Sequence, residues 1–282
     1  FARYFVKFIE AYRSHGIPVA AVTPQNEPAV ALKTPGMELS LAAEARFTID
    51  DLAPALRAAG LRTSIYGWDQ SWGYLTRRTP LIATTAGSLA GVAWHCYFGS
   101  PNAMTGLHLS APGLLQIVNE CSTATTPVWP TSELLIASFR NWANAVAMWN
   151  LALDPQGGPV QPPNLVGCPG CTGLVTIDEQ THAVSLSRDY YELGQLSRYV
   201  DPDAVRISSN TFVRYDLSPS YQTVVTRGLD DVAFLDPDGT RVLIAYNHSS
   251  APIDFGVTWD GRALTHTLPP GATVTLTWTG PR

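Results

Sequence analysis

Five short apolar runs, separated by stretches of helical periodicity, constrain the fold of this chain more than any other feature. They are Ile17–Val22, Leu61–Tyr66, Leu89–Ala93, Leu114–Val118 and Ala143–Met148. Strand-like runs alternating with helices imply a parallel sheet with crossover helices. Two runs lead into a glutamate: Ile17–Val22 into Thr23-Pro24-Gln25-Asn26-Glu27-Pro28, and Leu114–Val118 into Asn119-Glu120-Cys121-Ser122. Glu120 follows Glu27 after three βα steps of about 31 residues each, the allotment of a (β/α)8 barrel of roughly 250 residues. The fifth run is the least defined, because Leu134–Met148 also reads as one continuous helix.

The chain opens on Phe1, Tyr4, Phe5, Phe8, Ile9 and Tyr12, a helical stripe already under way. That start is expected of a piece of a longer barrel whose earlier strands precede Phe1. A helix from about Ser40 to Ala59 follows. Beyond a loop rich in Gly and Pro from Gly157 to Gly173 come a short strand, Leu174–Ile177, and a helix from about Arg188 to Val200. After Asp201-Pro202-Asp203 the pattern changes to short runs at Val205–Ser208, Thr223–Thr226, Val232–Leu235, Arg241–Tyr246, Ile253–Thr258 and Thr273–Trp278. Asp236-Pro237-Asp238-Gly239 between two of them is a hairpin-turn signal. The expected fold is α/β: a partial (β/α)8 TIM barrel over residues 1–202, then an antiparallel β-sandwich domain over 203–282.

Composition excludes several classes. The net charge is −5, and Lys7 and Lys33 are the only lysines among 18 basic residues. No basic stripe exists to track phosphates, so nucleic acid is not an expected partner. No apolar run reaches the ~18 residues of a transmembrane segment. G-x-S-x-G, H-E-x-x-H, Walker and dinucleotide-binding signatures are all missing from the sequence.

Cys168-x-x-Cys171 is half of a zinc motif without its second half, and it interrupts a loop, where a redox dithiol is out of place. A small structural disulfide between Cys168 and Cys171 is the expectation, suited to an exported protein. Cys96 and Cys121, at different strand ends, are expected to be buried thiols. Glu133 sits where a crossover helix begins, and the helix dipole alone accounts for an acid there. Asn247-His248-Ser249 fits the glycosylation tripeptide, which is too common to carry weight.

Two glutamates at the ends of parallel strands are what glycoside hydrolysis asks for: one protonates the leaving oxygen, and the other attacks carbon or activates water. The wealth of Trp and Tyr suits sugar rings, although most such residues serve packing.

With these residues laid out, the chain resembles glycoside hydrolase family 30, the group of the glucosylceramidases and β-1,6-glucanases. The resemblance rests on Thr-x-Gln-Asn-Glu-Pro (23–28), Trp94-His95-x-Tyr97 and Asn119-Glu120-Cys121. It continues through Trp149-Asn150-Leu151-Ala152-Leu153-Asp154, Gly157-Gly158-Pro159 and Tyr191-x-Leu193-Gly194-x-Leu196-Ser197-x-Tyr199-Val200. These occur in the family's order along essentially the whole chain. Family members carry about three βα units before the position of Phe1, and strands ahead of the barrel that complete the side sandwich. Val-Asn-Glu-Cys departs from relatives that often have Thr or Ser before the Glu.

The resemblance implies that Glu27 is the general acid/base and Glu120 the nucleophile of a retaining β-glycosidase acting on β-glucosides such as glucosylceramide or β-1,6-glucan. By the same resemblance Asn26 holds the sugar 2-hydroxyl, Tyr97 hydrogen-bonds the nucleophile with His95 beside it, and Trp149 stacks beneath the sugar. Asp69 and Asn164 match polar sugar contacts. No metal or organic cofactor is needed, the partner is a β-linked glycoside or glucan, and the expected location is outside the cell. β-Xyloside and β-fucoside remain alternative substrates. The rival reading is a catalytically impaired carbohydrate-binding fragment that keeps sugar affinity through Trp68, Trp72 and Trp149; a secreted structural sandwich ranks last.

Overall fold

The computed structural model describes residues 1–30, 36–74, 87–122, 129–160, 170–210, 212–218 and 223–280. By their described residues the chain forms two compact units. One comprises Phe1–Cys121 and Trp142–Met148; the other comprises Ser122–Asn141, Trp149–Val160 and the described part of Cys168–Arg282.

The first unit is built on a five-stranded sheet: β1 (Ala21–Val22), β2 (Ser64–Ser71), β3 (Gly91–His95), β4 (Leu115–Glu120) and β5 (Ala145–Val146). The strands lie in sequence order and every pairing is parallel, which makes half of a TIM-like barrel. The open alternative over Leu134–Met148 is resolved as helix then strand. A helix spans Thr131–Arg140, and Trp142 takes a left-handed φ of 74°, which no helix continues through.

The sheet's packing layer begins with helix Ala2–Ser14, whose Ile9 is buried with Leu52, Leu56, Leu61 and Ile65. Burying each such side chain stabilises by about 1.5–3 kcal/mol. The long helix expected from Ser40 is capped there, with the Ser40 hydroxyl accepting the Ala43 N–H at 3.2 Å. Its middle, Phe47–Leu52, widens into π-helical geometry between α-helical Leu41–Arg46 and Ala53–Ala58. Pro54 supplies the reason: it has no N–H to give and its ring crowds the carbonyl four residues back.

In β2, β3 and β4 pairing runs further than the apolar runs, into their polar ends, and there it loses step twice. Gly67 pairs with Val92 and Gln70 with Trp94, so Trp68 and Asp69 together stand against one residue of β3. Trp94 pairs with Val118 but His95 with Glu120, leaving Asn119 as an extra residue of β4. Each is a β-bulge, a device that re-aims side chains. One step past the last pair, Cys96 and Cys121 form a disulfide with Cα atoms 5.3 Å apart. The expectation of two buried thiols is therefore corrected: sequence distance hid a pair that the strand register brings side by side.

The second unit holds a three-stranded sheet of β6 (Ala152–Leu153), β7 (Val175–Ile177) and β8 (Val184–Leu186), and the antiparallel strands expected after Asp203. β9 (Val205–Ile207) is followed by the paired β10 (Tyr215–Leu217) and β11 (Thr223–Val225). β12 (Leu229–Leu235) and β13 (Arg241–Asn247) join through the Asp236–Gly239 turn, where Gly239 has φ 90° and donates to the Asp236 carbonyl at 2.9 Å. β14 (Ile253–Trp259) and β15 (Arg262–Leu268) form a hairpin whose two turn residues, Asp260 and Gly261, both have positive φ, as a twisted two-residue turn requires. With β16 (Thr273–Trp278) the main sheet reads β16-β13-β12-β9, and Ile253, Phe255 and Leu268 of the hairpin pack on Leu229 and Ala245.

Helix Thr131–Arg140 is part of this unit, with its Arg140 guanidinium donating to the Asp231 carbonyl at 2.6 Å and its Ser132 N–H to Glu192 at 2.8 Å. Glu133 lies in its first turn as expected, but it is also buried and hydrogen-bonded to the His248 ring. Asn247 is fully buried and donates to the Ala251 and Leu268 carbonyls, each at 2.8 Å, so the glycosylation tripeptide presents no accessible amide.

Candidate active site

Glu27, Asp69, His95, Tyr97 and Glu120 all belong to the first unit. Glu27 lies beyond β1, and its N–H donates to the Asp69 carbonyl at 3.0 Å. Glu27, Trp68 and Asp69 have φ of 47°, 77° and 48°. Left-handed backbone at non-glycine residues costs about 1–3 kcal/mol each and persists only where neighbours over-determine it. Here Glu44, buried on helix Leu41–Arg46, accepts the Trp68 N–H at 2.7 Å. Burial pushes the Glu44 carboxyl up to about 7, against the Trp68 hydrogen bond and with the charge of Asp69.

That backbone turns Asp69 onto three donors. Its Oδ2 accepts the Thr23 hydroxyl at 2.5 Å, and its Oδ1 accepts the Asn119 amide at 2.7 Å and the His95 Nε2–H at 3.2 Å. Burial alone would raise the Asp69 carboxyl. The hydrogen bonds from His95, Thr23 and Asn119, with the His95 charge, win and hold it below the ordinary range.

His95 is fully buried in the middle of the site. Its Nδ1 lies 3.0 Å from Glu27 Oε1 and 3.8 Å from Glu120 Oε1. Burial favours the neutral ring, but hydrogen bonds to Asp69 and Glu27 and the nearby charges of Glu120 and Asp69 outweigh it, raising the pKa to about 9. At neutral pH the ring is an imidazolium that donates from both nitrogens. Glu120, the last residue of β4, accepts the Tyr97 hydroxyl at 3.1 Å. Its carboxyl is raised by burial; His95 and Tyr97 pull it down, while Glu27 and Asp69 push it further up.

Glu27, His95 and Glu120 each offer a possible metal-ligand atom, all within 4.8 Å of one another. His95 Nδ1 faces Glu27 and its Nε2 faces Asp69, contacts through which the ring can share protons with both carboxylates.

The structure thus brings Glu27, Asp69, His95, Tyr97 and Glu120 together. Asn26 is exposed beside Glu27. Trp149 belongs to the second unit and is 38% exposed. Asn164 and Cys168 lie outside the described residues; Cys171 is disulfide-bonded and buried, with the Ser122 hydroxyl 3.0 Å from its sulfur. Asp69 is 3% exposed and holds His95. One expectation changes. Trp68 and Trp72, at 1% and 0% exposure, are core and offer no stacking face. Sequence reasoning missed Glu44 and the side-chain role of Asn119, because nothing in the local sequence separates them from ordinary helix and strand-end residues.

Comparisons with known proteins place the fold in a family. Residues 1–200 match the glycosyl hydrolase family 30 TIM-barrel domain and residues 203–276 its β-sandwich domain. The chain is 32% identical over 278 residues to endo-1,6-β-D-glucanase BGN16.3 of Trichoderma harzianum, covering 95% of this chain and 54% of that protein. It is 27% identical over 303 residues to the lysosomal acid glucosylceramidase of Mus musculus, covering 98% and 55%. Among solved structures, the endo-β1,6-glucanase BT3312 superposes with a TM-score of 0.80 at 27% identity, covering 99% of this chain and 63% of that one. The chain thus spans about half the length of the curated relatives it matches. With both domain profiles matched in order and the strand-end carboxylates gathered around one histidine, this chain belongs to glycoside hydrolase family 30.

Proposed function

We propose that this chain is a retaining β-glycosidase acting on β-glucosides, of which β-1,6-glucan and glucosylceramide are the first to test. The observation that carries the reading is the presence of Glu27 and Glu120 oxygens within 4.8 Å of one another around His95. Retaining enzymes keep their carboxyl groups about 5–5.5 Å apart, whereas inverting ones leave about 6.5–9.5 Å for a water. Names of relatives support the substrate class: endo-1,6-β-D-glucanases and glucosylceramidases.

In this mechanism Glu27 gives its proton to the glycosidic oxygen as that C–O bond breaks, and a Glu120 oxygen bonds to the anomeric carbon. Water then gives a proton to Glu27 and attacks the same carbon, releasing the sugar and restoring Glu120. His95 lies against both carboxylates, and its charge favours whichever is ionised at each step. Tyr97 steadies the Glu120 oxygen and Asn26 takes the sugar 2-hydroxyl; the sugar contacts expected of Trp149 and Asn164 rest on the family resemblance alone. We place the boundary between barrel and sandwich parts near Pro202 and expect an exported protein, consistent with its disulfide chemistry.

The test is the anomer first released from a β-glucoside, read by proton NMR before mutarotation. The β-anomer supports double displacement; the α-anomer would overturn it. Sugar binding without any release of reducing sugar would favour the carbohydrate-binding alternative.

A further inference from the structure

The last pair of the β3–β4 ladder is His95 with Glu120, and the next pair, Cys96 with Cys121, is closed by a disulfide instead of hydrogen bonds. Side chains alternate faces along a strand. His95 and Tyr97 turn toward the carboxylates, so Cys96 between them turns away, and Cys121 does the same after Glu120. The disulfide is buried, at 1% and 0% exposure, yet it stands apart from the apolar cluster that packs helix Ala2–Ser14 on the sheet. It joins the strand ends just past the last ladder pair, where Tyr97 lies beyond β3 and still bonds Glu120 at 3.1 Å.

We propose that the Cys96–Cys121 disulfide is a positioning element of the hydrolytic site, holding the Tyr97 hydroxyl on the Glu120 carboxylate. This rests on the glycosidase reading for its consequence in turnover, but its geometric content stands apart from turnover. Without the crosslink the β3 end is free to splay from β4, which lengthens the Tyr97–Glu120 hydrogen bond. That hydrogen bond favours the ionised nucleophile, so its loss removes a contact used when Glu120 attacks.

The experiment compares the parent chain, C96S/C121S, Tyr97→Phe and the combination, assayed on an aryl β-glucoside. A second pair, Cys96→Ala with Cys121→Val, refills the buried volume should the serine pair fold poorly. Expected are an oxidised parent, a fall in kcat of about tenfold with little change in KM for either cysteine pair, and no further loss when Tyr97→Phe is already present. Carbon-13 titration of the Glu120 carboxyl should show its pKa higher in the cysteine variants than in the parent. Free thiols at Cys96 and Cys121 in the parent, losses that multiply with that of Tyr97→Phe, a lowered melting temperature with unchanged kcat, or failure of both pairs to fold would each overturn the proposal. Should the parent show no turnover on any β-glucoside, the glycosidase reading fails. The carboxyl titration then decides the positioning claim, a raised value supporting it and an unchanged one sinking it.

Discussion

The Asn119 amide donates to Asp69 Oδ1 at 2.7 Å, and each of these residues belongs to a β-bulge, one on β4 and one on β2. The two irregularities of the sheet therefore meet side chain to side chain. Their meeting point is the carboxylate that holds His95. A regular ladder would have sent alternate side chains to fixed faces and left no freedom to converge three strands' worth of polar groups on one buried ring.

Asp69→Asn removes the charge and leaves one oxygen for three donors. With its opposing charge gone, burial should dominate and His95 should titrate below its present value of about 9. Nitrogen-15 shifts of the ring through a pH series measure this directly. A titration still near 9 would mean that Glu27 and Glu120 suffice to charge it.

Glu44→Ala should cost about 1–3 kcal/mol by orphaning the buried Trp68 N–H, and should reduce activity by releasing the backbone that turns Asp69. Glu44→Gln keeps an acceptor and should recover most of both. Chemical denaturation beside kcat separates the two; equal harm from both variants would assign the role to charge rather than to the hydrogen bond.

Stability should decline as pH rises from the acid side. Glu44 and Asp230 have folded pKa values of about 7, above their ordinary 4.5 and 3.8, so the folded state holds protons that the unfolded chain has lost. Each contributes stability that is present below its unfolded value and lost as pH climbs through about 7. His95, raised from 6.5 to about 9, adds stability that is complete below 6.5 and lost on passing 9. Melting temperature against pH should thus fall between about pH 5 and pH 9, and Glu44→Gln should flatten the lower part of the slope. A melting temperature that rises across this range would contradict the burial of Glu44 and Asp230 and the carboxylate contacts of His95.

Glu120→Gln should abolish turnover, lowering kcat by several orders of magnitude, and azide should not restore it. Glu27→Ala should lose less on substrates with good leaving groups, and azide should rescue it by attacking the glycosyl-enzyme without base assistance. Rescue in the reverse pattern would exchange the two roles.

The five strands were readable because each is written as a short apolar run between helical stretches, buried throughout at β3, and Glu27 and Glu120 were readable because they follow two of those runs. What burial does not write was hidden. Ser64–Ser71 shows no local mark of the bulge at Trp68 and Asp69, since a bulge is a relation between two strands. Cys96 and Cys121 were each read alone, and only the register makes them partners. Trp68 and Trp72 looked like sugar platforms because aromatic side chains serve packing and stacking equally well in a sequence; exposure separates the uses. Glu44 sits on a helix among alanines and reads as a solvated acid until β2 is placed over it.

Asn119 has one more consequence. As the extra residue of β4, it sets the phase of the strand: with it, Glu120 faces His95 and Cys121 faces away. Removing it would advance the strand by one place and turn the glutamate to the opposite side. A change of letter at 119 would weaken one hydrogen bond, whereas a change of count would erase the site. The part of this chain that can least bear a gap is thus a position whose identity matters only moderately.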